Sequence, residues 1–433
     1  MKPLNVYIET YGCQMNKLDS ETVAAILREG GYDIVTDMSE ADVILLNTCG
    51  VRENAENRIH GRIGELSSLK RDRPELLFGI IGCMAQRLDR DLLSDVVRLV
   101  AGPDSYRRLP AIIRRAAEVP AADTVLETSE TYEGITPFRE GAFSAWVAVM
   151  RGCNNYCSYC IVPYTRGRER SIPVERIVSE VKELKRKGYR EVTLLGQNVN
   201  SYCDGDIDFA ALLDRVADTG MEWIRFLTSH PKDLTEEILS VMAARENVCT
   251  HLHLPLQSGS DRILAAMKRG YTITDYLSLI EKALKMVKNL SITSDLMFGF
   301  PGETNEDFNE TLSVMGTVRY DYCFLYRYSE RAGTEASRME GNVSEHVRIE
   351  RLKEAIELQK TISRERHKER IGTTATVLIK GKSKDGAGWY GFTETSIPVV
   401  LPSDRDGIGQ GSFVTVKIEG TTGGTLLGRI DRN

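Results

Sequence analysis

The first part of the chain alternates short apolar runs with amphipathic segments. Residues 43–46 form an unbroken apolar run, which is typical of a strand buried on both faces of a parallel sheet. The pattern predicts a doubly wound α/β domain over residues 1–118. Its predicted strands are residues 5–10, 42–47 and 76–81, and its predicted helices are residues 19–28, 53–69 and 89–97.

A second alternating series follows a predicted linker at residues 119–138, which is poor in large apolar residues. Six strand-and-helix units in a row predict a parallel barrel, although a complete barrel needs eight. We therefore expect an open (β/α)6 partial barrel with a trailing charged helix over residues 139–371. Its predicted strands are residues 145–150, 191–195, 223–227, 250–254, 292–298 and 321–328, and its trailing helix is residues 344–371.

The pattern changes again after Gly372. Short β-like runs at residues 374–379, 396–401 and 412–419 are separated by Gly and Asp. This spacing predicts a small β-barrel of about five strands over residues 372–433.

Composition narrows the class of protein. The first residues lack the pattern of a signal peptide, so we expect none, and no stretch approaches the ~18 apolar residues of a membrane span. Nine cysteines without a secretory signal indicate metal or redox use in a reducing compartment. We therefore expect a cytoplasmic protein with no membrane partner.

Three cysteines lie close together just after the first strand of the second series. Cys153, Cys157 and Cys160 have the spacing C-x3-C-x2-C, at the end of the barrel that carries active sites. A structural zinc ion or a four-iron cluster normally takes four protein ligands. Three closely spaced thiolates therefore favour a [4Fe-4S] cluster with one iron open for a small molecule. A zinc site lacking its fourth ligand is the alternative.

Three further cysteines are distant in sequence but equivalent in position. Cys13, Cys49 and Cys83 each follow a predicted strand of the first domain. Ligands bind at the carboxyl ends of parallel strands, so these thiols should converge there. A second three-thiolate [4Fe-4S] cluster is the favoured interpretation. Three unrelated buried cysteines are the alternative, because free cysteine is among the most buried residue types.

Several motifs carry a resemblance to a known family. The triplet with Tyr159 before its last cysteine resembles the radical S-adenosylmethionine (SAM) superfamily. Thr-Tyr-Gly-Cys-Gln-Met-Asn at 10–16, the run at 163–171 and Gly-Gln-Asn-Val-Asn-Ser-Tyr at 196–202 narrow it to the methylthiotransferases. The resemblance covers essentially all of the chain, including a C-terminal part similar to a TRAM β-barrel. The chain is most similar to the type that acts on isopentenylated adenosine in tRNA.

The resemblance implies two uses of SAM. One SAM would give a methyl group to a sulfur held at the Cys13, Cys49 and Cys83 cluster. A second SAM, on the other cluster, would yield a radical that takes a hydrogen from C2 of an adenine. The expected product is the 2-methylthio derivative of N6-isopentenyladenosine next to the tRNA anticodon.

Candidate SAM-binding residues lie in the cysteine loop and at the predicted mouth of the barrel. They are Tyr159, Gln197, Ser229, Gln257, Asp295 and Met297. A structural hydrogen bond is the alternative role for the polar ones, because strand-end side chains often satisfy backbone groups.

RNA binding requires local basic patches, because the net charge is -6. Arg166, Arg168 and Arg170 alternate after the second triplet, and an extended backbone would place them on one face. We predict that they contact RNA phosphates near the reactive base, with a solvated surface as the alternative. Expected partners are the tRNA anticodon stem-loop, a small electron donor such as flavodoxin or ferredoxin, and a sulfur or cluster donor protein. The chain is expected to act as a monomer.

Two other functions stay open at this point. The same chemistry could act on a threonylcarbamoyl-adenosine in tRNA or on an aspartate of a ribosomal protein. A chain with two clusters but no SAM turnover would instead be an iron–sulfur electron-transfer or carrier protein with RNA-binding domains.

Overall fold

The computed structural model describes residues 3–50, 53–139, 143–384, 386–402 and 408–430. Within them the chain builds a parallel sheet, a set of parallel strands with helices between them, and a closed β-barrel. The predicted α/β fold with a C-terminal β-barrel is therefore confirmed. In these ranges we find no helix with the length and hydropathy that crossing a membrane requires. The last three residues of the predicted C-terminal domain lie outside the described residues.

The first sheet has six parallel strands in the order β2-β1-β3-β4-β5-β6. All residues of β3 and β4 are buried, as their apolar runs predict. The elements are β1 Asn5–Tyr11, α1 Gln14–Glu29, β2 Asp33–Val35, β3 Val43–Thr48, α2 Glu53–Asp72, β4 Leu77–Gly82, α3 Cys83–Leu88, β5 Val97–Ala101, α4 Leu109–Glu118 and β6 Ala121–Asp123.

The first domain differs from the sequence-based expectation in several elements, and β2, β5 and α4 were not predicted. The predicted helix at residues 89–97 is a short 3-10 turn, Asp89–Leu92, followed by β5. The sheet also extends into the predicted linker, because β6 pairs with β5 from Leu99 opposite Ala121.

The second domain is an open partial barrel. Parallel strands β7, β10 and β13 form one sheet, and parallel strands β14, β15 and β16 form another. A single bridge from Ile224 to Val248 connects the two sheets just before β14. The strands therefore follow one another in chain order, as the six repeated units predict.

Helices lie between these strands, and several begin with strong capping signals. Thr272 and Thr304 each accept the backbone N–H of an aspartate three residues on, and each donates its own N–H to the carboxylate of that aspartate. The elements are β7 Ser144–Ala148, β8 Met150–Arg151, α5 Val162–Arg166, β9 Arg170–Ser171, α6 Val174–Arg186, β10 Glu191–Leu195, β11 Cys203–Asp204, β12 Ile207–Asp208, α7 Phe209–Ala217, β13 Trp223–Phe226, α8 Glu236–Ala244, β14 His251–His253, α9 Asp261–Ala266, α10 Ile273–Met286, β15 Ser291–Phe298, α11 Asn305–Val318, β16 Tyr322–Arg327 and α12 Glu345–Lys368.

The C-terminal residues form a closed barrel in the strand order β17-β18-β19-β21-β20. Its core includes Val377, Val399 and Val416. The strands are β17 Thr374–Lys382, β18 Gly388–Thr393, β19 Pro398–Pro402, β20 Phe413–Thr421 and β21 Leu426–Ile430.

The two flanking domains contact opposite ends of the partial barrel. Met15 and Leu18 of α1 pack with Leu195 at the carboxyl end of β10. At the other end, Trp223 at the start of β13 packs edge-on against Phe413 of the C-terminal barrel, with ring centroids 4.8 Å apart. The first domain therefore covers the mouth, while the C-terminal barrel closes the base.

Candidate functional site

The cysteines of the first domain lie at neighbouring strand ends. Cys13 caps α1, Cys49 follows β3 and Cys83 begins α3. A Cβ on Gly12 would lie 3.0 Å from Cys49 Cβ, and one on Gly50 would lie 3.5 Å from Cys83 Cβ. The three strand ends therefore approach one another closely, at the edge that faces the second domain.

The electrostatics of this edge favour a thiolate at Cys13 but not at Cys83. A hydrogen bond from Cys49 outweighs burial and lowers the pKa of Cys13 to about 5. Burial raises the pKa of Cys83, although the Arg166 guanidinium beside it acts in the opposite direction. Because metals bind thiolates, iron bound at Cys83 would displace the thiol proton.

The second triplet occupies the loop between β8 and α5. Cys153 N–H donates to Gly167 O at 3.2 Å, and Cys160 N–H donates to Cys157 O at 2.9 Å. Gly152 has φ +74°, and a Cβ there would lie 2.0 Å from Arg168 O. Only glycine therefore fits directly before this loop. Burial raises the pKa of Cys160 to about 12, so a metal would be needed to hold its thiolate.

The donor atoms of the two triplets indicate which kind of group they suit. In the part of the chain that the structure describes, no three or more His, Cys, Asp or Glu side chains converge on one ion-sized point. Each triplet consists only of cysteines, a donor set that suits an iron–sulfur cluster.

Unpartnered polar atoms mark the mouth of the partial barrel. Ser229 Oγ, Gln197 Oε1 and His230 Nε2 are buried and find no hydrogen-bond partner among the described residues. Buried polar atoms in folded proteins are normally paired. These three fit a polar ligand such as SAM, which could accept or donate at each of them.

His230 is a site residue that the sequence analysis did not select. Burial lowers its pKa to about 2, so the ring is neutral at ordinary pH. Its Nδ1 accepts Lys232 N–H at 3.3 Å, which assigns the ring hydrogen to Nε2. The unpartnered Nε2 is therefore a hydrogen-bond donor.

The other candidate SAM residues lie around the same mouth. Tyr159 and Met297 pack in one apolar cluster with Phe300. Gln257 has φ +77°, a conformation that non-glycine residues rarely adopt and that concentrates at functional sites. Asp295 lies on the same face of β15 as Met297 but two residues earlier, 3.6 Å from His253 Nε2.

The domain interface next to both triplets is held by a buried ion-pair network. Asp19 of α1 is fully buried and accepts Arg151 Nη1 at 3.0 Å and Arg166 Nη2 at 2.7 Å. Arg166 Nε also donates to Cys83 Sγ at 3.2 Å. We call Asp19, Arg151 and Arg166 the Asp19 network.

The structure corrects the expectation that the alternating arginines share one exposed face. Arg166 ends α5 and is buried in the Asp19 network, and Arg170 is buried with both of its terminal nitrogens bonded to Asp104. Gly167, at φ +72°, reverses the chain between them, so the backbone is not extended. Arg168 alone of the three lies at the surface.

Arg269 is a second residue that the sequence analysis missed. It is buried, and its Nη1 lies 3.5 Å from Cys157 Sγ. Its Nη2 donates to Pro255 O at 2.8 Å, which fixes the guanidinium. A cation beside a cysteine ligand can stabilise the negative charge of a bound cluster. Arg269 is 109 residues from Cys160 in the sequence, and no local pattern connects the two.

Three known families match successive parts of the chain. The Radical SAM superfamily matches residues 147–315, which contain the second triplet and the mouth residues. The uncharacterized protein family UPF0004 matches residues 5–102, which contain the first triplet. The TRAM domain matches residues 368–430, the C-terminal barrel.

Curated relatives match nearly the whole chain. A tRNA-2-methylthio-N(6)-dimethylallyladenosine synthase from Chloroherpeton thalassium is 47% identical over 98% of this chain and 95% of its own. Proteins of the same name from Parabacteroides distasonis and Chlorobaculum tepidum are 47% and 46% identical, each over 98% of this chain and over 94% and 98% of their own.

Solved structures share the fold at low sequence identity. The radical S-adenosylmethionine methyltransferase TsrM from Kitasatospora setae has a TM-score of 0.57 at 14% identity, covering 77% of both chains. The cobalamin-dependent S-adenosylmethionine radical enzyme OxsB has a TM-score of 0.53 at 12% identity, covering 83% of this chain and 58% of that one. These similarities support the arrangement of an α/β domain against a partial barrel.

Proposed function

Because the chain belongs to the family of tRNA-2-methylthio-N(6)-dimethylallyladenosine synthases, we propose that it attaches a methylthio group to C2 of an N6-isopentenyladenosine next to a tRNA anticodon. It is a radical SAM methylthiotransferase, which uses SAM and a [4Fe-4S] cluster. The observation that carries the proposal is the placement of two cysteine triplets on facing edges. One lies at the strand ends of the first domain and the other at the barrel mouth that this domain covers.

We assign the radical-generating cluster to Cys153, Cys157 and Cys160. When bound there, the cluster supplies the electron that cleaves SAM and so gives a radical able to remove an unactivated aromatic hydrogen. The protein's own contribution is to hold and orient the reactants. Gln197, Ser229 and His230 offer polar atoms to SAM, and Tyr159 and Met297 offer an apolar wall.

We assign a second cluster to Cys13, Cys49 and Cys83, where it would present the sulfur that becomes the methylthio group. The support is convergence of three strand ends and a depressed pKa at Cys13. The adenine would then lie between the two triplets, next to the buried Asp19 network. A bound adenine there would be next to buried side chains, which would help to keep bulk water from a radical intermediate.

We extend the proposal to the partners. The TRAM domain supports binding to RNA, and exposed Arg168 close to the radical loop is suited to a phosphate contact. Reduction requires a small electron donor such as flavodoxin or ferredoxin, and replacing the consumed sulfur requires a sulfur or cluster donor protein. We propose a cytoplasmic enzyme that acts as a monomer.

The test is anaerobic reconstitution of the full chain and of two variants, each with one cysteine triplet changed to alanine. Each variant should lose about half of the eight irons expected for two clusters. Loss of the second triplet should abolish 5′-deoxyadenosine formation from SAM, whereas loss of the first should abolish only methylthiolation. Mass spectrometry of nucleosides from isopentenylated tRNA should show the methylthio product with the parent protein. Unmodified tRNA after radical formation would refute the proposed substrate.

A further inference from the structure

Arg166 crosses from the second domain to a cysteine of the first. It lies six residues after Cys160, at the end of α5, yet its Nε–H donates to Cys83 Sγ at 3.2 Å. Its side chain is 4% exposed, so the contact is shielded from water. The first domain alone therefore does not provide all of the groups that surround its cysteines.

The remaining nitrogens of Arg166 indicate how it is held and what it lacks. Nη2 donates to the carboxylate of Asp19 at 2.7 Å, and Asp19 also accepts Arg151, two residues before Cys153. Nη1 is buried and has no hydrogen-bond partner in the described part of the chain. Buried donors are normally paired. Nη1 belongs to the same guanidinium whose Nε contacts Cys83 Sγ. Its lack of a partner therefore indicates that a bound group at the cysteine site accepts its hydrogen bond.

We propose that Arg166 is a positioning residue for the iron–sulfur cluster at Cys13, Cys49 and Cys83, holding the Cys83 sulfur through Nε and a sulfur of the bound cluster through Nη1. The inference rests on the proposed function in one respect, which is that this site binds a cluster. It adds that the second domain supplies the group that stabilises the cluster. The Asp19 network then connects that stabilisation to the loop of the other cluster.

The physical effect of Arg166 has a definite sign. Hydrogen bonds and positive charge at the sulfurs stabilise the more negative, reduced cluster, so they raise its reduction potential. Partners that orient a metal ligand typically contribute 10- to 100-fold to metal affinity. Removing Arg166 should therefore lower both the potential and the retention of this cluster.

The experiment uses the full chain with Cys153, Cys157 and Cys160 changed to alanine, so that iron reports only on the first-domain site. In this parent we compare Arg166→Gln, Arg166→Lys and the control Arg139→Gln. Arg139 is an interface arginine whose side chain is 7% exposed, and it joins Glu21 of α1 to Glu180 of α6, at 3.3 and 2.7 Å. The readouts are iron loss to a chelator and the midpoint potential.

Arg166→Gln should weaken iron retention about 10- to 100-fold and shift the potential to a more negative value. Arg166→Lys should recover part of the potential shift, because it keeps the charge but not the fork of donors. Asp19 keeps Arg151 in both variants, and the thermal unfolding of the iron-free proteins checks the fold. The control should retain iron like the parent.

Two results would overturn the inference alone. The first is that the parent binds about four irons but Arg166→Gln changes neither the retention of iron nor the midpoint potential. The second is that Arg139→Gln changes both quantities as much as Arg166→Gln does. A parent that binds no iron would instead remove the second cluster from the proposed function, and this inference with it.

Discussion

Replacing Glu191 by glutamine should loosen the C-terminal barrel from the base of the partial barrel. Glu191 opens β10 and is 5% exposed. It accepts Arg225 Nε at 2.9 Å and Lys380 Nζ, from β17, at 2.5 Å. Arg225 in turn donates to Thr393 O and Glu394 O of the C-terminal barrel, at 2.8 and 2.7 Å. One carboxylate therefore holds two cations that join the two domains.

The pKa of Glu191 gives the magnitude. Burial alone would raise it, but Arg225 and Lys380 outweigh burial and lower it from 4.5 to about 2. Each pKa unit corresponds to about 1.4 kcal/mol, so the ionised carboxylate is favoured by roughly 3 kcal/mol in the folded protein. Glutamine keeps the volume of the side chain but removes its charge. Arg225 and Lys380 then stay buried without a negative charge beside them. We expect the folded protein to lose roughly 3 kcal/mol of stability. Part of this loss falls at the domain contact, because Lys380 lies in the C-terminal barrel whereas Arg225 lies in the same domain as Glu191.

Differential scanning calorimetry and limited proteolysis between α12 and β17 measure this loss. The control is Glu222→Gln, whose partly exposed carboxylate pairs with Arg190 at 3.1 Å and should contribute less than about 1 kcal/mol. Equal destabilisation by the two variants, or none by Glu191→Gln, would refute the reasoning.

The stability that Glu191 contributes depends on pH with a fixed sign, because the pKa of Glu191 is lower in the folded protein than in the unfolded chain. The stabilisation should be complete above about pH 4.5 and fall as the pH drops towards 2, and Glu191→Gln should lack this component.

Three further substitutions test the site. Gly152→Ala places a Cβ 2.0 Å from Arg168 O at φ +74°, so the reconstituted protein should lose the radical cluster's share of its iron, about half. Ser229→Ala removes a buried hydroxyl that has no partner among the described residues, so stability should stay within about 0.5 kcal/mol while equilibrium dialysis shows SAM binding about tenfold weaker. A destabilised protein with unchanged SAM affinity would contradict that role. Arg168→Ala should weaken tRNA binding and reduce the slope of log affinity against log salt concentration by about one, as measured by fluorescence anisotropy. The control Arg186→Ala, at an exposed position on α6, should have no such effect.

Sequence periodicity predicted the architecture because parallel strands carry a strong local signal. The apolar runs of β3 and β4 lie in strands that are buried along their whole length. The three-residue strands β2 and β6 were missed because they are short and only partly buried, so they carry no such apolar run. They lie at the two edges of the first sheet, where each pairs with a single neighbouring strand, and the local sequence does not show this pairing.

The candidate site was predictable wherever position on a strand determined it. The prediction that Cys13, Cys49 and Cys83 share an edge follows from parallel topology alone. The role of Arg166 does not, because its partners Cys83 and Asp19 are 83 and 147 residues away in sequence. One clue was available: Asp19 is a carboxylate on the apolar side of α1, next to buried Leu18 and Val23, and a buried carboxylate requires a cation.

The position of the C-terminal barrel constrains how RNA can reach the site. The barrel meets the starts of β10 and β13, whereas both cysteine triplets lie beyond the strand ends, about 17 Å away for a five-residue strand. An RNA that contacts the C-terminal barrel and also reaches the cysteine triplets must extend from the base of the partial barrel to its mouth. The affinity for tRNA should therefore depend on a docked C-terminal barrel, whereas cleavage of SAM should not. Glu191→Gln should therefore weaken tRNA binding and leave 5′-deoxyadenosine formation from SAM alone unchanged. Equal losses in both assays would show that the barrel supports the partial barrel itself rather than the path of the RNA.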